Sequence, residues 1–205
     1  MEGATVNEHY YAQHPTAASQ RQTFEVRLRG FRLALVSDSG VFSKRGVDYG
    51  SRALIERMEI PDGSRVLDVG CGYGPIGLTA ALLAPAGHVD LLDINERATE
   101  LARLNAEANG IRNASIAQSD GLAAVGDRMY DVILTNPPVR AGKAVVHRIF
   151  EESAARLAPG GSLWIVIQNK QGAPTARAKL KALFGEAAVT EIAKDKGYRI
   201  YRAKK

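Results

Sequence analysis

Cysteine and histidine are scarce in this chain, and each scarcity removes a class of chemistry. The single cysteine, Cys71, rules out an internal disulfide. The four histidines (His9, His14, His88 and His147) are scattered without metal-ligand spacing, so no metal site is expected. No apolar stretch approaches the ~18 residues that a membrane span needs, and no membrane partner is expected. The opening "MEGATVNEHYYAQHPT" is polar and lacks the charged-then-apolar layout of a signal peptide; a cytoplasmic protein is the simplest reading. Repeats and low-complexity tracts are absent as well.

What is present is ordinary for a globular protein: 205 residues, 45% apolar and 24% charged. A chain of this length buries roughly 70% of its unfolded surface, enough for one core. Residues 1–21 form a polar N-terminal segment, and 22–205 read as a single domain, with a hairpin and first helix over 22–60 and an α/β core over 61–205. The net charge of +5 permits an anionic partner such as RNA without demanding one.

Hydrophobic rhythm supplies the fold class. "TFEVRLRGFRLALVSD" (23–38) alternates apolar and polar residues on both sides of Gly30, a hairpin signal. Residues 48–60 have helical spacing, with Pro61 as the stop. From 65 onward strands alternate with helices: strands at 65–70, 88–94, 114–118, 130–136 and 162–168, and helices at 74–84, 95–110, 143–161 and 173–185. Residues 188–205 read as two strands around a Lys196-Gly197 turn. This order predicts an α/β fold with a doubly wound, mostly parallel seven-stranded sheet, an antiparallel C-terminal hairpin and a preceding N-terminal β-hairpin. Ligands of such sheets bind beyond the carboxyl ends of the strands.

Three motifs fall at such ends. "DVGCGYGPIG" (68–77) follows the first strand of the α/β unit and opens a helix; Gly70, Gly72 and Gly74 allow backbone to approach a ligand closely. Dinucleotides and S-adenosylmethionine (SAM) both need such a turn. Asp68 favours SAM, because a carboxylate there repels a pyrophosphate and suits the ammonium of a methionine moiety, directly or through water. Pro75 favours it too, by removing a helix N–H that a pyrophosphate would use. Asp93, with Ile94 beside it, ends the next strand, where a carboxylate accepts ribose hydroxyls; SAM and NAD share that need. Asp120 and Gly121 end the third. Asp120 suits the exocyclic amine of adenine, with Gly121 admitting the ring, although "SDG" also fits a plain Asx turn. Cys71 reads as a packing residue of the turn.

With these residues in place the chain resembles the class I SAM-dependent methyltransferases, a Rossmann-like fold. "TNPPVRAGK" (135–143) resembles the [Asn/Asp]-Pro-Pro motif of amino-group methyltransferases. Together with "SDSGVFSKRGVDYGS" (37–51), it is similar to the methyltransferase small-domain family, which includes the bacterial 16S rRNA guanine-N2 methyltransferases. The likeness is to the stand-alone, single-domain branch. It implies SAM as cofactor, rRNA as substrate, and contacts of Ser43 and Ser51 to SAM.

The motif has a chemical reason. The lone pair of an exocyclic amine is delocalised into its ring and must turn out of plane to attack a methyl. Asn136 Oδ1 and the Pro137 carbonyl can each accept one amine hydrogen, and Pro137 and Pro138 fix φ near about −65° before substrate arrives. These three residues are the candidate catalytic set, with Asn136 also beside the cofactor. Val139 departs from the aromatic that many such motifs use to stack on the base, so either another aromatic supplies the stacking, with Phe42 and Tyr49 as candidates, or stacking matters less here. Arg140 and Lys143 read as phosphate contacts or as a solvated basic turn, and His147 as a residue that could face the pocket. The expected activity is N-methylation of guanine N2 in rRNA. Adenine N6 or a protein glutamine amide would fit the same clamp, and an NAD-binding oxidoreductase or a catalytically silent RNA-binding module are readings of other classes.

Overall fold

The structure is a computed structural model that describes residues 13, 18–43 and 46–205. The polar segment expected at 1–21 lies mostly outside the described residues. Strands β1 (Gln22–Leu28) and β2 (Phe31–Ser37) form the antiparallel hairpin. Helix α1 (Tyr49–Arg57) follows, then β3 (Arg65–Val69), α2 (Pro75–Leu83), β4 (His88–Asp93), α3 (Glu96–Ala108), β5 (Ala114–Gln118) and β6 (Tyr130–Thr135). Helix α4 (Lys143–Arg156), β7 (Leu157–Gln168), α5 (Ala173–Phe184), β8 (Val189–Asp195) and β9 (Tyr198–Lys204) complete the chain.

The main sheet has seven strands in the order β5-β4-β3-β6-β7-β9-β8, parallel except for β9, which runs antiparallel to both of its neighbours. The strand order turns back at β3, whose neighbours are β4 and β6, so a cleft opens above the carboxyl ends of those strands. One core, with Leu33, Leu54, Leu78, Leu101 and Trp164, lies between the sheet, α1–α3 and the hairpin. The other, with Ile133, Phe150, Leu180 and Tyr201, lies under α4 and α5.

Two predicted boundaries move. Helix α1 ends at Arg57, before Ile60, because Met58 is already extended (ψ 137°) and the Arg29 guanidinium takes up the carbonyls of Ile55 and Met58 at 3.0 Å each. The helix expected over 143–161 stops at Arg156. Leu157 is extended and pairs with Tyr130, while Val132 pairs with Ser162, so "APGG" bulges out of β7. A Pro-Gly-Gly run cannot continue a helix, and the Lys205 backbone binds it instead: Lys205 N donates to Gly161 O at 2.9 Å, and Gly160 N to Lys205 O at 3.0 Å.

The hairpin is fastened by Asn105 of α3 and by Asn109 at its C-cap, a device no periodicity reveals. Asn105, fully buried, accepts from Val36 N at 2.7 Å and donates to Val36 O at 3.0 Å and Tyr73 O at 2.8 Å. One turn on, Asn109 accepts from Ala34 N at 2.9 Å and donates to Ala34 O at 2.8 Å. The two amides stand in for a third strand along the edge of β2. Unpairing buried polar groups costs ~1–3 kcal/mol each. Asn105→Ala is therefore expected to lower unfolding free energy by about 3 kcal/mol in urea; a loss below about 0.5 kcal/mol would remove the anchor from the account.

Candidate active site

A cavity of about 710 Å³ opens above β3, β4 and β6, and its walls come from the three strand-end motifs, the Asn-Pro-Pro segment, residues 40–43 and the ends of β7 and β9. Gly70 (φ 75°) and Gly72 (φ 57°) line it in the left-handed region. A Cβ on either would meet nothing within 4 Å, so both glycines leave free space on the cavity side. Gly74 (φ 99°) does not line the cavity; its Cβ would lie 2.9 Å from Leu78, so it serves the start of α2 by close packing.

The three acids differ in placement. Asp68 is fully buried behind the loop and does not line the cavity. Its Oδ2 accepts from Gly77 N at 2.8 Å, and its Oδ1 is buried with no hydrogen-bond partner. Burial pushes its pKa up to about 7 against the opposing Gly77 bond. The direct contact to an ammonium considered from sequence is thus closed off, and a route through the loop side remains. Asp93 lines the cavity, with Oδ2 accepting from Gly72 N at 2.8 Å and Oδ1 from Asn95 N at 2.9 Å. Burial raises its pKa, and those N–H donors oppose the rise. One carboxylate thereby ties the glycine loop to the cap of α3. Asp120 lines the cavity but is exposed and ion-paired with Arg148 of α4, whose Nη1 lies 3.2 Å from Oδ2. Beside it, Gly121 (φ 57°) lies in the left-handed region that favours glycine, and Glu152 Oε2, which accepts from Leu122 N at 2.9 Å, fills the space a Cβ would take.

Opposite this wall stands Asn136. Its Nδ2 donates to Ser51 Oγ at 3.1 Å and, at the long end of the range, to Asp48 Oδ1 at 3.5 Å. Asp48 is the N-cap of α1 and accepts from Ser51 N at 3.1 Å. A carboxylate only accepts, so it faces the NH₂ side of Asn136 and turns Oδ1 away, where no described residue donates to it. The Pro137 carbonyl already accepts from Val139 N at 2.8 Å, across Pro138 at φ −75°, ψ 76°, an inverse γ-turn. One lone pair of that carbonyl remains.

Of the predicted substrate contacts, Phe42, Val139 and Arg140 line the cavity, while Lys143 opens α4 outside it. Tyr49 does not reach the cavity. Its hydroxyl donates to Asp195 at 2.6 Å and its ring carries the Lys196 ammonium at 4.8 Å, so the β8–β9 turn holds it away. The aromatic that does line the cavity from that side is Tyr198, which sequence reading missed. It packs on Gly50, where a Cβ would lie 2.7 Å from its ring. Its signal was the Lys196-Gly197 turn, which brings β9 back beside Gln168 at the end of β7. Ser43 and Ser51 also line the cavity. His147 stacks on Phe150 and lies outside it, its pKa lowered by burial and by Lys143 and Lys179. Cys71 is buried, and burial with the Asp93 and Asp68 charges pushes its thiol well above the usual range, which leaves it protonated.

The mostly parallel sheet with its switch point at β3, its antiparallel β9 and a cleft over the glycine turn is the fold of a class I SAM-dependent methyltransferase. The model of the Methyltransferase small domain matches residues 32–202, and the chain belongs to that family. The "Uncharacterized protein YbxB" of Bacillus subtilis (strain 168) is 52% identical over 202 residues, covering 98% of this chain and 100% of that protein. Ribosomal RNA large subunit methyltransferase G of Ectopseudomonas mendocina is 35% identical over 84% of this chain, which spans 46% of that protein. Among solved structures, the Thermus thermophilus 16S rRNA N2 G1207 methyltransferase (RsmC) in complex with AdoMet and guanosine superposes with a TM-score of 0.81 and 28% identity, over 92% of this chain and 51% of that one. The chain thus spans about half the length of these two rRNA methyltransferases. SAM is the cofactor of the family, and the cavity suits it: the free space over Gly70 and Gly72 admits its backbone-hugging portion.

Asp68 gives the fold a pH signature. A native pKa near 7, above the unfolded carboxyl value, means the native state holds this proton more tightly. Its contribution to stability is full below the unfolded value and is lost as pH rises toward 7. Asp68→Asn is expected to flatten the fall in Tm between about pH 5 and pH 8. Equal slopes in variant and parent would show that Asp68 does not titrate there.

Proposed function

We propose that the protein transfers the SAM methyl to an exocyclic amine of RNA, with guanine N2 of rRNA as the favoured target. The observation that carries this reading is the fixed side-chain amide of Asn136. Its NH₂ is held by Ser51 and Asp48, and its oxygen, on a residue that lines the cavity, accepts from no described residue. That oxygen and the remaining lone pair of the Pro137 carbonyl would each take one hydrogen of a planar amine. Held so, the nitrogen lone pair points out of the ring plane. Bound SAM supplies an electrophilic methyl on a sulfonium with a neutral thioether as leaving group. The acidic N-methylated product loses its proton to water.

In this reading Gly70 and Gly72 let backbone lie against the cofactor, Asp93 takes the ribose hydroxyls with its free lone pairs, and Ile94, Asp120 and Gly121 flank the adenine. Asp68 and Gly74 act from behind, holding the loop. Residues 22–205 work as one domain, and the protein acts in the cytoplasm on rRNA. The absence of an aromatic at Val139 keeps a second amine, adenine N6 or a glutamine amide, as the alternative target. Tyr198 and Phe42 are the aromatic surfaces that flank the bound base. An RNA target is supported by the RNA named for the methyltransferase G and RsmC relatives.

Labelled-SAM transfer to rRNA and ribosomal subunits, followed by nucleoside mass spectrometry, tests the target directly. SAM should raise the melting temperature and NAD should not; the reverse result would sink the reading. Each acceptor bond that tightens as charge grows on nitrogen is worth ~1.5–3 kcal/mol, roughly one to two decades of rate. Asn136→Ala is accordingly expected to cut transfer by at least about tenfold while SAM affinity stays within about twofold; an unaltered rate would exclude Asn136 from the chemistry. For Tyr198→Ala a rise in KM for RNA of about tenfold is expected, largely rescued by Tyr198→Phe, since base stacking is worth ~1–3 kcal/mol. Equal loss in both variants would show that the ring does not stack.

A further inference from the structure

Positive charge is not spread evenly along the chain. Residues 170–205 carry ten Lys and Arg against three acidic residues, whereas residues 1–169 carry 17 against 19. The whole net charge of +5 therefore originates in α5, β8 and β9. These three elements form the edge of the molecule beyond β7.

A second cavity, of about 350 Å³, lies within that edge. Arg177 and Lys181 of α5 and Arg199 of β9 line it, with Asn169, Tyr201 and Glu191. Arg199 donates to Glu191 at 2.7 Å and retains further guanidinium N–H groups. Lys181 is paired with the exposed Glu186. Arg177 is exposed and makes no ion pair among the described residues. Three cations against one lining carboxylate, with amide and hydroxyl groups beside them, make a site for an anion. Guanidinium forks from two directions suit the oxygens of a phosphate.

The position of this cavity is the informative part. Gln168 and Gln171 line the catalytic cavity, and Asn169 between them lines the second one. Likewise Tyr198 faces the catalytic cavity and the next residue, Arg199, faces the second. Successive residues of a strand point to opposite faces, so β9 separates the two cavities by the thickness of one chain. The Asn169 N–H donates to Gly197 O at 2.7 Å and stitches this partition together.

We propose that the cavity of Arg177, Lys181 and Arg199 is a phosphate subsite that grips the backbone of an RNA strand whose target base enters the catalytic cavity over Tyr198. The proposal rests on the RNA reading above, and it assigns to the C-terminal edge the task of holding the strand. The catalytic cavity then need only accept a flipped base. Phosphate contacts set register and orientation without reading sequence.

The test is binding of a fluorescently labelled single-stranded RNA oligonucleotide to the full chain, followed by anisotropy across a KCl series. Arg177→Ala with Lys181→Ala is expected to weaken binding about tenfold at low salt and to reduce the slope of log K against log salt by about one to two. SAM affinity and melting temperature should stay at parental values, since neither side chain lines the catalytic cavity or belongs to a hydrophobic core. Charge reversal, Arg177→Glu, should weaken binding further than Arg177→Ala. An unchanged affinity and salt slope in the double variant would overturn the subsite, as would a parent that binds no RNA at all. Methyl transfer is scored separately. RNA binding lost in the variant, with no transfer to any RNA by the parent, would leave the subsite standing and refute the activity.

Discussion

The carboxylate of Asp48 is the constraint on which the reacting end of the pocket depends. It caps the first turn of α1 and, together with Ser51 Oγ at 3.1 Å, faces the NH₂ of Asn136 at the tip of β6. Helix α1 in turn rests on β7 and on the hairpin, and Gly50 within it receives the ring of Tyr198. The N-terminal layer is thus part of the cavity wall. It carries Asp48 and Ser51, which bind the Asn136 amide, and Gly50, which lets the Tyr198 ring approach.

Behind the cofactor loop a different economy operates. Asp68 binds Gly77 N in the first turn of α2 and Asp93 binds Gly72 N in the glycine turn, so two carboxylates hold the turn and the helix it opens. Asp93 keeps contact with the cavity, whereas Asp68 is sealed away with one oxygen unsatisfied. An unpaired buried oxygen is unfavourable as a charge, and burial accordingly favours the protonated form of Asp68.

The parallel sheet, its antiparallel end and the hairpin were legible because period-2 and period-3.6 patterns report burial, and burial governs those elements. The glycine loop, Asp93 and Asn-Pro-Pro were legible for a related reason: glycine, acid and proline have few uses at strand tips. What stayed hidden was set by contacts between residues far apart in sequence. Tyr49 sits next to Asp48 in the chain but is claimed by Asp195, and Tyr198, distant in sequence, takes the position at the cavity. Asp120 read as an adenine contact, and no local pattern announces its ion pair with Arg148. The bulge at Pro159 was misplaced into α4 because a helix stop and a strand bulge share the same Pro-Gly-Gly composition.

The inverse γ-turn at Pro138 has a consequence for selectivity. Pro137 and Pro138 have no N–H, and the N–H of Val139 is consumed by the Pro137 carbonyl. From Pro137 to Val139 the main chain offers oxygen and no available hydrogen. A keto group presented there would leave its oxygen unpaired, at a penalty of ~1–3 kcal/mol, or roughly a ten- to hundredfold disadvantage. For the proposed amine target this main chain would favour a group that brings its own hydrogens over the carbonyl edge of a base.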